Sequence, residues 1–169
     1  PVVVCSFGDN SVTEGEVSEA FQFAALHQLP IIFLVQDNEW GISVTKEEAR
    51  TSDAYDFAAG FVGLNRMKVD GTDFEASFEA MKKAVDFVRE ERKPMLVCAS
   101  TVLIGHHTSG VRREFYRDEE DLEKHRSKDP GNILRKRLLE EGVDEELLKQ
   151  IEKKARLQVE SDFQKAIEA

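Results

Sequence analysis

Residues 2–11, VVVCSFGDNS, and residues 31–43, IIFLVQDNEWGIS, decide the fold, because each is a short apolar run that ends in a polar segment. Uniformly apolar, β-branched runs are typical of strands buried on both faces of a sheet, and we expect such strands at residues 2–5 and 31–35. Between them, apolar residues at helical spacing predict a helix over residues 14–28. The chain therefore opens as a strand, a helix and a second strand.

The alternation of strands and helices continues to residue 102. Residues 37–52 are polar and predict a loop, and Thr72 with Glu75 predicts a capping box for the helix that shows the clearest periodicity. The further predicted elements are a short helix at residues 53–59, a strand at 66–69, a helix at 72–88 and a strand at 95–102. This order implies right-handed crossovers and an α/β fold with a doubly wound, mainly parallel sheet and helices on both faces. Ligands of such sheets bind beyond the carboxyl ends of the strands, so functional motifs should follow strands directly.

The C-terminal part of the chain has a different pattern. We expect residues 1–117 to form the α/β domain, truncated at its N-terminus, and residues 118–169 to form a helical C-terminal extension of that domain. A long helix is predicted over residues 144–168, with an apolar stripe that is expected to pack against its own domain. The stripe consists of Leu148, Ile151, Ala155, Val159 and Phe163.

Composition narrows the functional classes. The chain has 169 residues, 41% of them hydrophobic, which is enough for one well-buried core. Acidic residues number 33 against 23 basic ones, and the net charge of −10 has the wrong sign for binding nucleic acid or an anionic membrane. No apolar run approaches the ~18 residues of a membrane span, so we expect a cytoplasmic protein. Cys5 and Cys98 lie in separate apolar runs and are predicted to be small buried core residues.

The first motif, Gly8-Asp9-Asn10-Ser11, lies between a predicted strand and a predicted helix. Backbone N–H groups at such a turn can converge on an anion, and a diphosphate would fit there. Asp9 would be repelled by that anion unless a hard divalent cation lay between the two charges, and magnesium suits that position. Alone, the motif is more typical of an ordinary strand-to-helix turn, so a magnesium site needs a second oxygen ligand.

That second ligand is predicted to be Asn38, in the polar segment after the next strand. Neighbouring strands would place Asp9 and Asn38 side by side. Asn38 follows Asp9 by 29 residues, and this order and spacing resemble the Gly-Asp-Gly to Asn-Asn signature of thiamine-diphosphate enzymes. Residues 11–16 and 23–25 are similar to the alpha subunit of the decarboxylating component of 2-oxo acid dehydrogenases, of the pyruvate or branched-chain type.

The resemblance implies a set of ligands. Magnesium would be held by Asp9, Asn38 and the backbone carbonyl of Trp40. The residues expected to bind thiamine diphosphate are Gly8, Asp9, Asn10, Ser11, Asn38, Trp40, Ile42 and His107. The chain departs from the signature at Asn10, where the family has Gly, and at Asp37, where it has the first Asn. Neither departure removes a metal-binding oxygen, although Asp37 adds a negative charge.

A third motif, residues 104–110, follows the last predicted strand and resembles the active-site loop of the family. By that resemblance His107 is catalytic: it faces the reactive part of the cofactor and assists transfer to the lipoyl group. This role suits an imidazole, which exchanges protons near neutral pH. Tyr116-Arg117 is similar to the pair that closes this loop, and Leu103 stands where the family usually has Arg.

The function implied by the resemblance is that of an enzyme, a thiamine-diphosphate-dependent 2-oxo acid dehydrogenase. It would decarboxylate pyruvate or a branched-chain 2-oxo acid and acylate a lipoyl domain. A beta subunit or a fused beta half would supply the carboxylate that activates the cofactor, so this chain alone is expected to be inactive.

Two alternatives stay open at this point. One is another thiamine-diphosphate enzyme, such as a transketolase-like protein, against which the His107-Thr108 pair argues. The other is a noncatalytic interaction module on the same fold, which the departures at Asn10, Asp37 and Leu103 would suit.

Overall fold

The chain is built on a sheet of four parallel strands. The structure is a computed structural model that describes residues 1–168. The strands are β1 Val3–Gly8, β2 Ile31–Asp37, β3 Asn65–Asp70 and β4 Met95–Ser100. Their order across the sheet is β1-β2-β4-β3, so β2 and β4 are central and β1 and β3 lie at the edges. Every pairing is parallel, as the alternation of elements predicts.

Helices lie between the strands and after the last of them. They are α1 Gly15–His27, α2 Lys46–Ala49, α3 Ala54–Phe57, α4 Phe74–Glu91, α5 Glu119–Arg126, α6 Pro130–Glu140 and α7 Glu145–Glu168. Short 3₁₀ helices lie at Asp9–Thr13, Ala58–Gly60 and Arg113–Phe115. The α/β fold with a doubly wound parallel sheet and a helical C-terminus is confirmed.

Each face of the sheet has its own hydrophobic core. Successive residues of a strand point to opposite faces, so Phe33 of β2 joins one core and Ile32 the other. The first core is completed by α1, whose Phe21 is fully buried with its ring centroid 4.8 Å from that of Phe33. The second is completed by Ala84 and Val88 of α4. The sheet therefore lies between helices, which leaves its carboxyl edge as the place where loops gather.

The start of α4 differs from the sequence expectation. The helix is capped by Asp73, whose carboxylate accepts a hydrogen bond from the backbone N–H of Ala76 at 3.0 Å, so the prediction that Thr72 caps it is wrong. Thr72 donates its hydroxyl to Asp70 at 2.7 Å instead, because the turn after β3 brings the two side chains together.

The polar segment at residues 37–52 contains a helix that the sequence analysis missed. A capping box begins α2, in which the side chain of Thr45 accepts from the backbone N–H of Glu48 and the carboxylate of Glu48 accepts from the backbone N–H of Thr45. The Thr-x-x-Glu pattern is the sequence signal that indicates this helix start.

At the edge of the sheet, β1 is more exposed than the sequence predicts. Val3 and Val4 are 58% and 50% exposed, and Cys5 is exposed as well. The expectations of burial on both faces for this strand and of a core position for Cys5 are wrong, because an edge strand has a neighbour on one side only. Cys98, in the central β4, is buried as predicted.

By its internal contacts the chain divides after Pro130 into two units. The sheet and α1 to α5 belong to the first, and the predicted boundary between residues 117 and 118 stays a prediction. In the second unit, α7 matches the helix predicted over residues 144–168, and Leu148 is buried while Ile151 is 55% exposed. None of the helices within residues 1–168 has the length and apolarity that a membrane crossing requires.

Candidate functional site

The carboxyl ends of three adjacent strands bring the predicted motifs to one edge of the sheet. Gly8 of β1 pairs with Gln36 of β2, and Asp37 of β2 pairs with Ser100 of β4. The backbone N–H of Thr101 donates to the carbonyl of Asp37 at 2.8 Å, which continues the contact beyond the strand end. The expectation that β1 and β2 are neighbours is confirmed, and all three motifs leave the sheet on the same side.

Asp9 lies at the centre of this edge. It begins the 3₁₀ helix Asp9–Thr13 and is 1% exposed. Burial raises the pKa of Asp9 above its ordinary value; the Arg50 guanidinium opposes this increase and the Asp37 carboxylate adds to it. The backbone N–H groups of Asp9 and Asn38 lower the pKa and so also oppose this increase.

A cation that the sequence analysis missed lies between the two carboxylates. The Nη2 atom of Arg50 lies 2.8 Å from Asp9 Oδ2 and 2.6 Å from Asp37 Oδ1, and Nη1 lies 3.3 Å from Asp37 Oδ2. The Arg50 side chain is 6% exposed. Its backbone N–H donates to the carbonyl of Lys46 at 3.0 Å, so α2 holds it in place. The sequence signal for such a residue is Asp37 itself, because a buried extra carboxylate needs a counter-charge.

The segment after β2 folds tightly around Asn38. The side-chain oxygen of Asn38 accepts a hydrogen bond from the backbone N–H of Trp40 at 3.0 Å. Glu39 between them has a φ of 68°, in the left-handed region, and Gly41 closes the loop by donating its N–H to the carbonyl of Val44 at 2.7 Å. These contacts fix the direction of the Asn38 amide.

Glu39 ties this loop to two lysines. Its carboxylate lies 2.5 Å from Nζ of Lys46 in α2 and 2.6 Å from Nζ of Lys124 in α5. Partial burial raises the pKa of Glu39, but the hydrogen bonds and charges of Lys124 and Lys46 outweigh it and bring the pKa down to about 2. The loop that carries Asn38 is therefore connected to both flanking helices.

The remaining residues predicted to bind the diphosphate lie around this loop. A Cβ atom on Gly41 would be 2.3 Å from Nδ2 of Asn10, so the absence of a side chain on Gly41 makes room for Asn10. Ser11 is exposed, and Ile42 is 50% exposed. A Cβ on Gly8 would meet no atom within 4 Å. This side of the motif is therefore open to a ligand.

The loop that contains His107 follows β4 at the same edge. His107 is exposed, and an isolated bridge between Thr108 and Val111 shapes the turn after it. His106 accepts a hydrogen bond at Nδ1 from the backbone N–H of Arg113, at 3.3 Å. The structure thus places His107 in a loop on the predicted side of the sheet, with its imidazole accessible.

Arg117 binds the backbone at the beginning of the His107 loop. Its side chain is fully buried, its Nη1 donates to the carbonyl of Leu103 at 2.6 Å, and its Nε donates to Asp121 at 2.6 Å. The guanidinium also lies 5.3 Å from the centre of the Trp40 ring, and the rings of Trp40 and Tyr116 are 5.6 Å apart. These contacts join the His107 loop to the Asn38 loop.

His125 of α5 makes a second contact that holds the His107 loop, and the sequence analysis missed it. Its Nδ1 accepts a hydrogen bond from the backbone N–H of Leu103 at 2.9 Å, which requires the neutral imidazole. Burial lowers the pKa of His125, Arg117 lowers it further, and the nearby carboxylates of Asp121 and Glu39 oppose the decrease. The neutral form is favoured, so the hydrogen bond to the loop is kept.

The oxygen atoms at Asp9 and Asn10 fit a magnesium-bound diphosphate. Asp9 Oδ1 and Asn10 Oδ1 are buried and have no hydrogen-bond partner. Carboxylate, amide and carbonyl oxygens are what magnesium binds, together with phosphate and water. No cluster of three or more His, Cys, Asp or Glu side chains suited to a metal occurs within residues 1–168. A metal here would therefore depend on neutral oxygens and on the phosphate, as the motif predicts.

Curated relatives of this chain carry the names of dehydrogenase alpha subunits. The pyruvate dehydrogenase E1 component subunit alpha of Rickettsia conorii is 36% identical over 149 residues, which are 86% of this chain and 44% of the relative. The mitochondrial 2-oxoisovalerate dehydrogenase subunit alpha of Mus musculus is 33% identical over 167 residues, 98% of this chain and 38% of the relative. The chain thus spans less than half the length of these relatives.

Solved structures share the sheet. A transketolase variant from Pichia stipitis has a TM-score of 0.52 and 28% identity, over 60% of this chain and 15% of that chain. The transketolase of Campylobacter jejuni has a TM-score of 0.51 and 25% identity, over 59% of this chain and 15% of that chain. The likeness confirms that the fold is that of transketolase-like proteins.

The model of one protein family, described as "Dehydrogenase E1 component", matches residues 1–169. Because that match covers the whole sequence and agrees with the names of the curated relatives, the chain belongs to the dehydrogenase E1 component family.

Proposed function

We propose that the protein to which this chain belongs is a thiamine-diphosphate-dependent 2-oxo acid dehydrogenase and that this chain anchors the cofactor through magnesium. The observation that carries the proposal is the position of Asp9, whose buried Oδ1 has no hydrogen-bond partner, at the strand end next to that of Asn38. The substrate would be pyruvate or a branched-chain 2-oxo acid, the two classes named among the relatives.

The metal would be held by the carboxylate of Asp9, the amide oxygen of Asn38 and the backbone carbonyl of Trp40. Asn38 can serve this role while it accepts from the Trp40 N–H, because an amide oxygen has two lone pairs. Asp9 would offer the metal its Oδ1 atom, which the Arg50 guanidinium leaves without a hydrogen-bond partner.

The diphosphate would lie against Gly8, Asn10 and Ser11, with Ile42 beside the cofactor. When bound, thiamine diphosphate supplies the electron sink for decarboxylation. The chain's own contribution is to orient the cofactor and to present the exposed imidazole of His107, which would move a proton during transfer to the lipoyl group. Arg117 and His125 would limit the freedom of that loop through their bonds to Leu103.

The partners follow from the same proposal. A beta subunit or a fused beta half would supply the carboxylate that activates the cofactor, and a lipoyl domain would accept the acyl group. The family match favours a 2-oxo acid dehydrogenase over the first alternative, a transketolase-like protein. A noncatalytic module would suit the departures from the signature and the contact of Arg50 with both carboxylates, which offsets part of their charge without a metal.

Asn38→Ala tests the proposal. In the complete enzyme it should weaken magnesium-dependent binding of thiamine diphosphate by at least about tenfold, because one metal ligand is lost, and it should lower the melting temperature little. Calorimetric titration with magnesium and thiamine diphosphate measures the first effect, and thermal unfolding measures the second.

Asn65→Ala is the matched control, since it removes an amide at the opposite end of the sheet, where Asn65 begins β3. If Asn38→Ala binds the cofactor as tightly as the wild type, the proposal is contradicted. It is also contradicted if the wild-type enzyme binds no cofactor.

A further inference from the structure

The family signature accounts for Asp9 but not for the two charged side chains that interact beside it, Asp37 and Arg50. Asp9 and Asp37 are 1% and 14% exposed at their side chains, and the Arg50 guanidinium lies between them, 2.8 Å and 2.6 Å away. Two carboxylates thus share one buried cation. Removal of one member of such a group leaves a buried charge without compensation, which is strongly unfavourable.

Arg50 makes different numbers of hydrogen bonds to the two carboxylates. Asp37 receives both Nη groups of Arg50, whereas Asp9 receives one and keeps its other oxygen without a hydrogen-bond partner. Nε of Arg50 is also without a partner. The guanidinium is therefore held mainly by Asp37, and its contact with Asp9 is the single bond that a competing cation would replace.

We propose that Arg50 is the internal counter-cation of this metal site: it compensates Asp37 permanently and holds Asp9 only until a divalent cation takes that carboxylate. The inference rests on the proposed function for the identity of the cation, magnesium with a diphosphate. It assigns a positioning role to Arg50 and explains how the chain tolerates Asp37, a carboxylate where the family signature has an amide.

The role of Asp37 then differs from what its charge alone suggests. Its carboxylate competes with Asp9 for the guanidinium, so it weakens the hold of Arg50 on the metal ligand. Asp37→Asn would bring the chain closer to the signature, yet it would leave Arg50 with Asp9 as its one charged partner among these three residues. A metal would then have to displace a more tightly held cation.

The proposal predicts how three variants differ from the wild type in their affinity for magnesium. In the complete enzyme, Asp37→Asn should weaken magnesium binding at saturating thiamine diphosphate by about tenfold, because Arg50 then pairs with Asp9 alone. Arg50→Met should strengthen it by a similar factor, since the competing cation is gone. The double variant Asp37→Asn with Arg50→Met should bind magnesium within about threefold of Arg50→Met, because the guanidinium through which Asp37→Asn acts is absent. Independent effects of the two changes would instead cancel and give the affinity of the wild type.

Titration calorimetry with magnesium in the presence of thiamine diphosphate measures these dissociation constants without a need for turnover. Lys68→Met is the matched control, because it removes a cation that pairs with Asp53 and not with Asp9 or Asp37. Weaker magnesium binding in Arg50→Met, or tighter binding in Asp37→Asn, would overturn the inference.

A second measurement separates this inference from the proposed function. In the metal-free enzyme kept in chelator, Arg50→Met should lower the melting temperature, and adding Asp37→Asn should recover part of that loss because one of two unpaired carboxylates is removed. If the change in melting temperature of the double variant equals the sum of the changes in the two single variants, the ion-pair inference is overturned. If the coupling is present but the wild-type enzyme binds no magnesium with thiamine diphosphate, the proposed function fails and the counter-cation role toward a metal fails with it.

Discussion

At the scale of single residues, the space shared by Gly41 and Asn10 shows how one departure from the family signature is accommodated. Asn10 stands where the signature has Gly, and its side chain fills the volume that a Cβ on Gly41 would occupy. The two residues are therefore best understood as a pair, in which the missing side chain at one position makes room for the extra side chain at the other.

Gly41→Ala should destabilise the protein by about 1–3 kcal/mol, because the new methyl group forces the Asn10 amide out of its position. The double variant Gly41→Ala with Asn10→Gly should recover most of that loss, since the clashing atom is gone. Urea unfolding of the wild type, both single variants and the double variant measures the coupling. If the two changes are simply additive, the shared space is not the cause.

Glu39 provides a pH-dependent test at the same scale. Its pKa in the folded chain is about 2, below the ordinary value of 4.5, so its contribution to stability is present above about pH 4.5 and is lost as the pH falls toward 2. We expect Glu39→Gln to be less stable than the wild type near neutral pH, with a difference in unfolding free energy that shrinks between about pH 5 and pH 3. Urea unfolding across this range measures it, and a difference that is independent of pH would show that the two lysine contacts do not depend on the charge of Glu39.

At the scale of secondary-structure elements, α5 connects two loops of the site. Lys124 of this helix contacts Glu39, His125 accepts from the backbone of Leu103, and Asp121 holds the buried Arg117. The helix itself begins with Asp118, whose side chain accepts from the backbone N–H of Asp121. Its position next to the Asn38 and His107 loops comes from these buried polar contacts.

Arg117→Met should loosen the His107 loop, because the carbonyl of Leu103 loses a charged donor and the contact with the Trp40 ring is removed. We expect amide hydrogen exchange over residues 103–110 to become at least about tenfold faster, which corresponds to a loss of roughly 1.4 kcal/mol of local stability. Arg126→Met is the control, since Arg126 at the end of α5 pairs with Glu119 at the surface. Equal exchange in the two variants would mean that Arg117 does not hold the loop.

At the scale of the whole molecule, the proposed site lies along one polar edge of the sheet. The residues proposed to bind metal and diphosphate, and the His107 loop, all follow the carboxyl ends of β1, β2 and β4. The exposed valines of β1 lie at an edge of the same sheet. Exposed apolar edge strands are surfaces on which other chains pair.

The 169-residue chain by itself should fold, bind magnesium and thiamine diphosphate much more weakly than the complete enzyme, and show no decarboxylation. Contacts to metal and diphosphate give modest affinity without the enclosed pocket in which the chemistry is favoured. Calorimetry and an assay of 2-oxo acid consumption with an artificial electron acceptor measure the two properties, with the complete enzyme as the control. Turnover by the isolated chain would show that the partner half is dispensable.

Local sequence patterns were sufficient for the order and type of the main elements. Runs of apolar residues indicated β1, β2 and β4, and the Asp70-Gly71 turn indicated the end of β3. Helical periodicity indicated α1, α4 and α7, because all these signals are set by neighbours within a few residues. The placement of Asp9 and Asn38 at adjacent strand ends followed from the same alternation, and the parallel pairing of β1 with β2 confirms that part. Their role as metal ligands stays a prediction.

The sequence by itself thus determined the alternation of strands and helices and the edge of the sheet at which the motifs gather. Only the tertiary structure decided that Cys5 is exposed, because burial depends on whether a strand is central or at an edge. It also decided that Arg50, 41 residues from Asp9 along the chain, lies between two buried carboxylates. Such contacts join residues far apart in sequence, and no local periodicity encodes which distant side chains a fold brings within hydrogen-bonding distance.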